Sequence, residues 1–205
     1  KAMAQATGAL YLDTGAMYRA MGLWMLRRGV DPWDHEKVEA LLDQPRIGVE
    51  HIGGAQKVYL DGEDVSEAIR TPEASMAASA VSASPKVRER LVAMQREIAK
   101  GRSVVMDGRD IGTKVLPEAT LKIFLTADAS VRARRRFREL LEKGAQATYE
   151  EVLCDMQKRD LYDSTRAASP LCKAEDAVTL DSGNLTFDET LSRALALLRE
   201  RMGAA

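Results

Sequence analysis

Short apolar runs alternate with longer amphipathic stretches along most of this chain. Residues 9–12 form a four-residue run of buried character. Asp13-Thr14-Gly15 then turns the chain into a helical pattern from about 16 to 28, stopped by Gly29. A second helix is predicted over roughly 34–42, after Pro32. The period then drops from about 3.6 residues to 2. Residues 47–52 alternate, Gly53-Gly54 reads as a hairpin turn, and 57–60 alternate again before Asp61-Gly62. Thr71-Pro72-Glu73 and Ser84-Pro85 each open a helix, the second running to about Lys100. A strand over 103–106 ends in a loop at 107–110, and 121–125 predicts the next strand. A strongly basic helix follows over about 129–142. Thr148 with Glu151 makes a capping box for a helix to about 161. The last strand falls at 177–180, and Thr186 with Glu189 caps a final helix over about 187–201.

Strands of four or five apolar residues alternating with helices predict an α/β fold. Its parallel sheet would be covered on both faces, giving three layers, with the antiparallel hairpin as an inserted subdomain. In such a fold each helix follows a strand. Residues 1–6 already read as the end of a helix, closed by Thr7-Gly8, so a first strand and its loop are expected upstream of Lys1. Ligands of doubly wound sheets gather at the carboxyl ends of the strands. The chemistry is therefore expected at Asp13-Thr14-Gly15, at 107–110 and after Leu125.

Composition narrows the function. The 205 residues suit one domain and carry 30 basic against 31 acidic side chains, a net charge of −1. That balance argues against a nucleic-acid coat or a cationic membrane-surface protein. Of the 30 basic residues, 20 are arginine, the side chain suited to bidentate contact with phosphate or carboxylate. Cys154 and Cys172 are too few for a disulfide framework, and His35 and His51 lack partners at zinc spacing. No apolar run approaches the ~18 residues of a membrane span and no signal peptide opens the chain, so a cytoplasmic protein is expected.

Four segments carry candidate chemistry. Thr14 and Gly15 leave backbone N–H groups free at a helix start, with Tyr18 and Arg19 one turn on. A plain N-capped helix with a surface arginine fits that spacing equally well. In 107–112 (DGRDIG), Asp107 is placed to hold water on Mg²⁺, Arg109 to donate bidentately to phosphate, and Asp110 to accept from an exocyclic amine. A surface Arg109–Asp110 pair is the weaker reading, given the crowding of charge among glycines. Five arginines lie within 132–138, and Arg132, Arg135 and Arg136 share a stripe. The stripe could cover a triphosphate or pair with Glu139 and Glu142. Arg159, Asp163 and Arg166 stand four and three apart, a spacing that by itself favours salt bridges along a helix.

Six segments in one order carry a more specific signal: LDTGAMYR at 12–19, DGEDVSEAIRTPE at 61–73, SPKVRERLVAMQR at 84–96, VMDGRDIGTKVLP at 105–117, LKIFLTA at 121–127 and KRDLYDSTRAASPL at 158–171. Together they resemble the bacterial cytidylate kinases, nucleoside-monophosphate kinases of the P-loop class. The resemblance implies phosphoryl transfer from ATP to CMP or dCMP with Mg²⁺. Residues 30–84 would form the CMP-binding insert and 129–166 a mobile lid. Arg19, Arg109 and Arg166 would hold the CMP phosphate; Ser79, Arg88 and Asp110 would read cytosine. Thr14, Tyr18, Arg159 and Asp163 would line the sugar, and Arg132 and Arg135 would face ATP. Ser79 and Arg88 lie on ordinary-looking helices and are singled out by the resemblance alone. A monomer is expected, with no nucleic-acid or membrane partner. The family's GxxxxGK[ST] loop is not within the 205 residues and is expected just ahead of Lys1. A chain that began at Lys1 would bind CMP weakly and transfer nothing. The alternatives are a catalytically dead CMP-binding module or a kinase for another acceptor.

Overall fold

The computed structural model of the chain describes residues 1–142 and 144–203. A short helix, α1 (Ala2–Thr7), precedes strand β1 (Leu10–Asp13). Asp13 caps α2 (Thr14–Arg27), its carboxylate accepting the Ala16 N–H at 3.0 Å, which satisfies one orphan donor of the first turn. Helix α3 (His35–Ala40) leads into an antiparallel sheet of β2 (Ile47–Ile52), β3 (Ala55–Leu60) and β4 (Glu63–Asp64). The β2–β3 turn falls at Gly53-Gly54, both at positive φ. A 3-10 turn (Ala68–Arg70) precedes α4 (Pro72–Val81) and α5 (Pro85–Ala99). Then come β5 (Val104–Asp107), a π-type turn (Ile111–Val115), β6 (Ile123–Thr126), α6 (Ala129–Glu142) and α7 (Tyr149–Thr165). Strand β7 (Val178–Asp181) and α8 (Phe187–Gly203) follow.

The predicted elements are present, with shifts of a few residues at their ends. Helix α7 outlasts its predicted end, and within its last turn the hydroxyls of Ser164 and Thr165 donate back to the carbonyls of Asp160 and Leu161 at 2.7–2.8 Å. Strand β4 and the turns at 68–70 and 111–115 were not foreseen. The parallel pairing is as expected: β1 runs beside β5 with Asp13 opposite Asp107, and β6 beside β7. Among the described residues the parallel strands form two pairs, β1 with β5 and β6 with β7. Both pairs border one cavity of about 1090 Å³.

The main core lies away from the parallel strands. Met17, Met21, Trp24 and Met25 of α2 pack with Val58 and Leu60 of β3, Val81 of α4, and Val87 and Leu91 of α5. Helices α2 and α4 approach closely at Gly22: a Cβ there would lie 2.7 Å from Ala77 Cβ and 2.9 Å from the Ala77 carbonyl carbon. Only a residue with no side chain permits that contact. The Trp24 indole donates to Asp61 at 2.9 Å, tying the same helix to the turn after β3. Trp33 meets Tyr162 of α7 edge-on, with ring centroids 4.9 Å apart. Among the described residues, no helix is long and apolar enough to cross a membrane.

Candidate active site

Parallel register places the ends of β1 and β5 side by side, so the two loops singled out above leave the sheet together. Thr14 Oγ1 donates to the Asp107 carbonyl at 2.7 Å, joining them. Gly108 follows, and a Cβ there would collide with Thr14 Oγ1 and come within 2.8 Å of Ile111 Cδ1. The glycine is therefore required for the loops to meet. Asp107 accepts a hydrogen bond from the Tyr11 hydroxyl at 2.5 Å. Desolvation by burial, above all, raises the pKa of Asp107 above its ordinary value.

Two buried carboxylates organise the rest. Asp110 forms an ion pair with Arg88, and both side chains are almost fully buried, at 5% and 7% exposure. Arg88 also donates to the Ser82 carbonyl at 3.1 Å and stands 5.3 Å over the Tyr18 ring. The Ser79 hydroxyl, buried, has no hydrogen-bond partner among the described residues. Burial is the main reason that Tyr18 is pushed up to about 12. The second carboxylate, Asp163 of α7, takes three arginines: Arg109 at 3.0 Å, Arg166 at 3.5 Å and Arg159 at 3.9 Å. Arg166 reaches across to the Ser82 hydroxyl at 2.7 Å, linking the two clusters. Burial depresses the pKa of Arg159 and Arg166, with a neighbouring arginine adding to the effect in each case. One carboxylate facing three guanidiniums leaves a local excess of positive charge, the electrostatic requirement of a phosphate pocket.

Arg19 lies at the mouth of the cavity, where it donates to Asp13 at 2.7 Å. Arg132 is bound to Asp160 of α7 at 2.7 Å, which fastens α6 to α7. The residues to which the resemblance gives a role all line the large cavity except Arg135, and Arg136 of the same stripe also lies outside it. The Arg135 guanidinium is committed to the loop after β7, donating to the Ser182 carbonyl at 2.6 Å and the Leu185 carbonyl at 3.3 Å. Sequence reasoning missed three contributors. Arg70 is a second arginine on Asp13, at 3.2 Å; Tyr11 holds Asp107; Ser82 joins the two clusters. Arg70 and Asp13 are 57 positions apart, and no local spacing announces the contact.

An α/β scaffold whose strand ends carry arginines clustered on buried carboxylates, around a cavity slightly larger than the roughly 300–1,000 Å³ typical of ligand sites, defines a phosphotransferase-class nucleotide site. The cytidylate kinase family model matches residues 1–200. A protein of Caldicellulosiruptor bescii named cytidylate kinase is 51% identical over 197 residues, spanning 96% of this chain and 87% of its own. Its namesake in Caldicellulosiruptor saccharolyticus is 50% identical over 203 residues, 99% of this chain and 90% of its own. The cytidylate kinase of Mycobacterium leprae is 47% identical across 205 residues, 100% of this chain and 90% of its own. The chain belongs to the cytidylate kinase family.

Proposed function

We propose that this protein transfers the γ-phosphate of ATP to CMP or dCMP, giving the nucleoside diphosphate and ADP. The observation that carries the reading is the pairing of two unlike clusters in one cavity. One is a neutralised buried pair, Arg88–Asp110, beside the free hydroxyl of Ser79. The other is an arginine-rich cluster on Asp163. The first offers an acceptor for an exocyclic amine and donors for a ring nitrogen and carbonyl, the pattern of an aminopyrimidine edge. The second suits the 5′-phosphate. Arg19, Arg109 and Arg166 then hold that phosphate, while Thr14, Tyr18, Arg159 and Asp163 border the sugar.

The acceptor oxygen of a nucleoside monophosphate is already anionic near neutral pH, so no general base is required. The difficulty is bringing two polyanions together, and catalysis becomes positioning and charge neutralisation. Arg132 fits the donor side; Arg135 must first release its carbonyl partners to reach a phosphate. Asp107, a single carboxylate at the strand end, fits Mg²⁺ held largely by substrate phosphates and water. Bound there, Mg²⁺ would neutralise charge on the transferring phosphate. Residues 30–84 act as the acceptor-binding insert and 129–166 as a lid, and their closure would exclude water from the transfer. The donor phosphates also need a GxxxxGK[ST] cradle, which is not within the 205 residues. The protein acts as a cytoplasmic monomer.

A coupled ADP-release assay on the full-length protein tests the reading. Turnover with CMP and dCMP well above that with AMP or UMP is expected. Turnover with AMP or UMP but not with CMP overturns it.

A further inference from the structure

We propose that Gln56, on the hairpin insert, is a positioning residue that sets the arginine clamp of the acceptor phosphate by gripping the backbone of Asp13; the inference rests on the acceptor reading above. Strand β1 pairs with β5 on one edge. Its other edge faces the insert, which bonds to it with side chains in place of a strand. The Asp13 N–H donates to Gln56 Oε1 at 2.7 Å, and Gln56 Nε2 donates to the Asp13 carbonyl at 3.2 Å. Two residues back, the Tyr11 carbonyl lies 2.7 Å from His51 Nε2. His51 and Gln56 are directly opposed in the β2–β3 ladder, so both project from the same face. A primary amide carries a donor and an acceptor in one plane, as a peptide does. Gln56 therefore substitutes for one residue of a neighbouring strand.

The residue it holds is the one that orients Arg19, the member of the phosphate clamp that does not rest on Asp163. The Asp13 carboxylate caps α2 at Ala16 and accepts from Arg19 at 2.7 Å and Arg70 at 3.2 Å. Arg70 arrives from the 3-10 turn of the same insert, after its hairpin. The insert thus touches Asp13 twice, on its backbone through Gln56 and on its carboxylate through Arg70. A loss of the backbone grip lets Asp13 drift relative to Arg70, which loosens Arg19 as well.

The test compares wild type, Gln56→Leu, Arg70→Met and the double variant in the full-length protein. The readouts are calorimetric CMP affinity, KM for CMP and ATP, and melting temperature. Gln56→Leu should weaken CMP binding and raise KM for CMP about tenfold while leaving KM for ATP within about twofold. In the Arg70→Met background the same change should have a markedly smaller effect, because the two act through one carboxylate. If Gln56→Leu does not fold, Gln56→Asn, which keeps the amide but shortens its reach, reads the same split. Unchanged CMP affinity with a lowered melting temperature would reduce Gln56 to a cover for an open strand edge, and fully additive effects would break its link to Arg70; either overturns the proposal. A wild-type protein that binds no CMP overturns the acceptor reading itself, a result distinct from both.

Discussion

The two sides of the cleft are built differently. On the acceptor side, α2, α4, α5 and the insert enclose a continuous core of methionine, leucine, valine and isoleucine, with Met17, Met21, Met25, Leu60, Val81 and Leu91 fully buried. On the other side, α6, α7, β7 and α8 bury little beyond Ala133, Val152, Leu180 and Ala194, while Leu125 and Phe187 stand 60% and 73% exposed. What fastens the periphery of the second side is largely polar: Arg132 to Asp160, and Arg135 to the carbonyls after β7. Apolar burial fixes geometry at a high free-energy cost of opening, whereas half-exposed ion pairs open cheaply. The apolar side should therefore resist local opening more than the polar side does.

The largest effect should come from the buried pair at the boundary of these regions. Arg88→Met strands an uncompensated carboxylate at Asp110 and should cost about 3–5 kcal/mol in denaturant unfolding. Replacing both partners by apolar residues should restore most of that stability while CMP turnover stays lost. Next comes the contrast between the two sides. Met21→Ala in the core should cost about 2–5 kcal/mol, whereas Leu125→Ala should stay within about 0.5 kcal/mol. Equal losses in a urea titration would erase the distinction drawn above. Arg109→Ala should lower kcat about a hundredfold with an unchanged melting temperature, since Asp163 keeps Arg159 and Arg166.

The smallest effect is in pH dependence, and its sign differs between site and insert. Asp107 has a raised pKa, so the fold favours its protonated form and loses stability as pH rises through the shifted value. Asp107→Asn should therefore raise the melting temperature slightly at neutral pH, and the gain should vanish below about pH 4. Asp64 of the insert is held down to about 2, first by Ser66 and then by Lys57. It stabilises above its ordinary value of 3.8, and that contribution is lost as pH falls towards 2. Asp64→Asn should thus destabilise at neutral pH and be silent near pH 2, the reverse profile in a thermal-melt series.

What the sequence disclosed follows the range of each interaction. The strand-end placement of Asp13 and Asp107 was legible because a strand, a turn and a helix start lie within a few residues. The spacing of Arg159, Asp163 and Arg166 likewise announced salt bridges, and those form. It did not announce that Arg109, 54 positions away, completes the cluster. Arg88 and Ser79 looked like ordinary helix residues because their meaning depends on Asp110, which only tertiary packing brings close. Arg135 is a different case: spacing places it on one stripe with Arg132, and only the fold brings the loop after β7 to its guanidinium. Arg70, Tyr11 and Gln56 left no local trace, since each acts on a residue more than forty positions distant.

The placement of the two tryptophans gives this protein its own optical readout. Trp24 is buried and hydrogen-bonded to Asp61 inside the rigid core, so its emission should be blue-shifted and constant. Trp33 is 45% exposed and rests on Tyr162, across the boundary between the insert and α7. Its quenching should follow their separation, so one fluorophore serves as internal reference and the other as gauge. Unlabelled protein in a stopped-flow cell would then report any change in the Trp33–Tyr162 separation in real time.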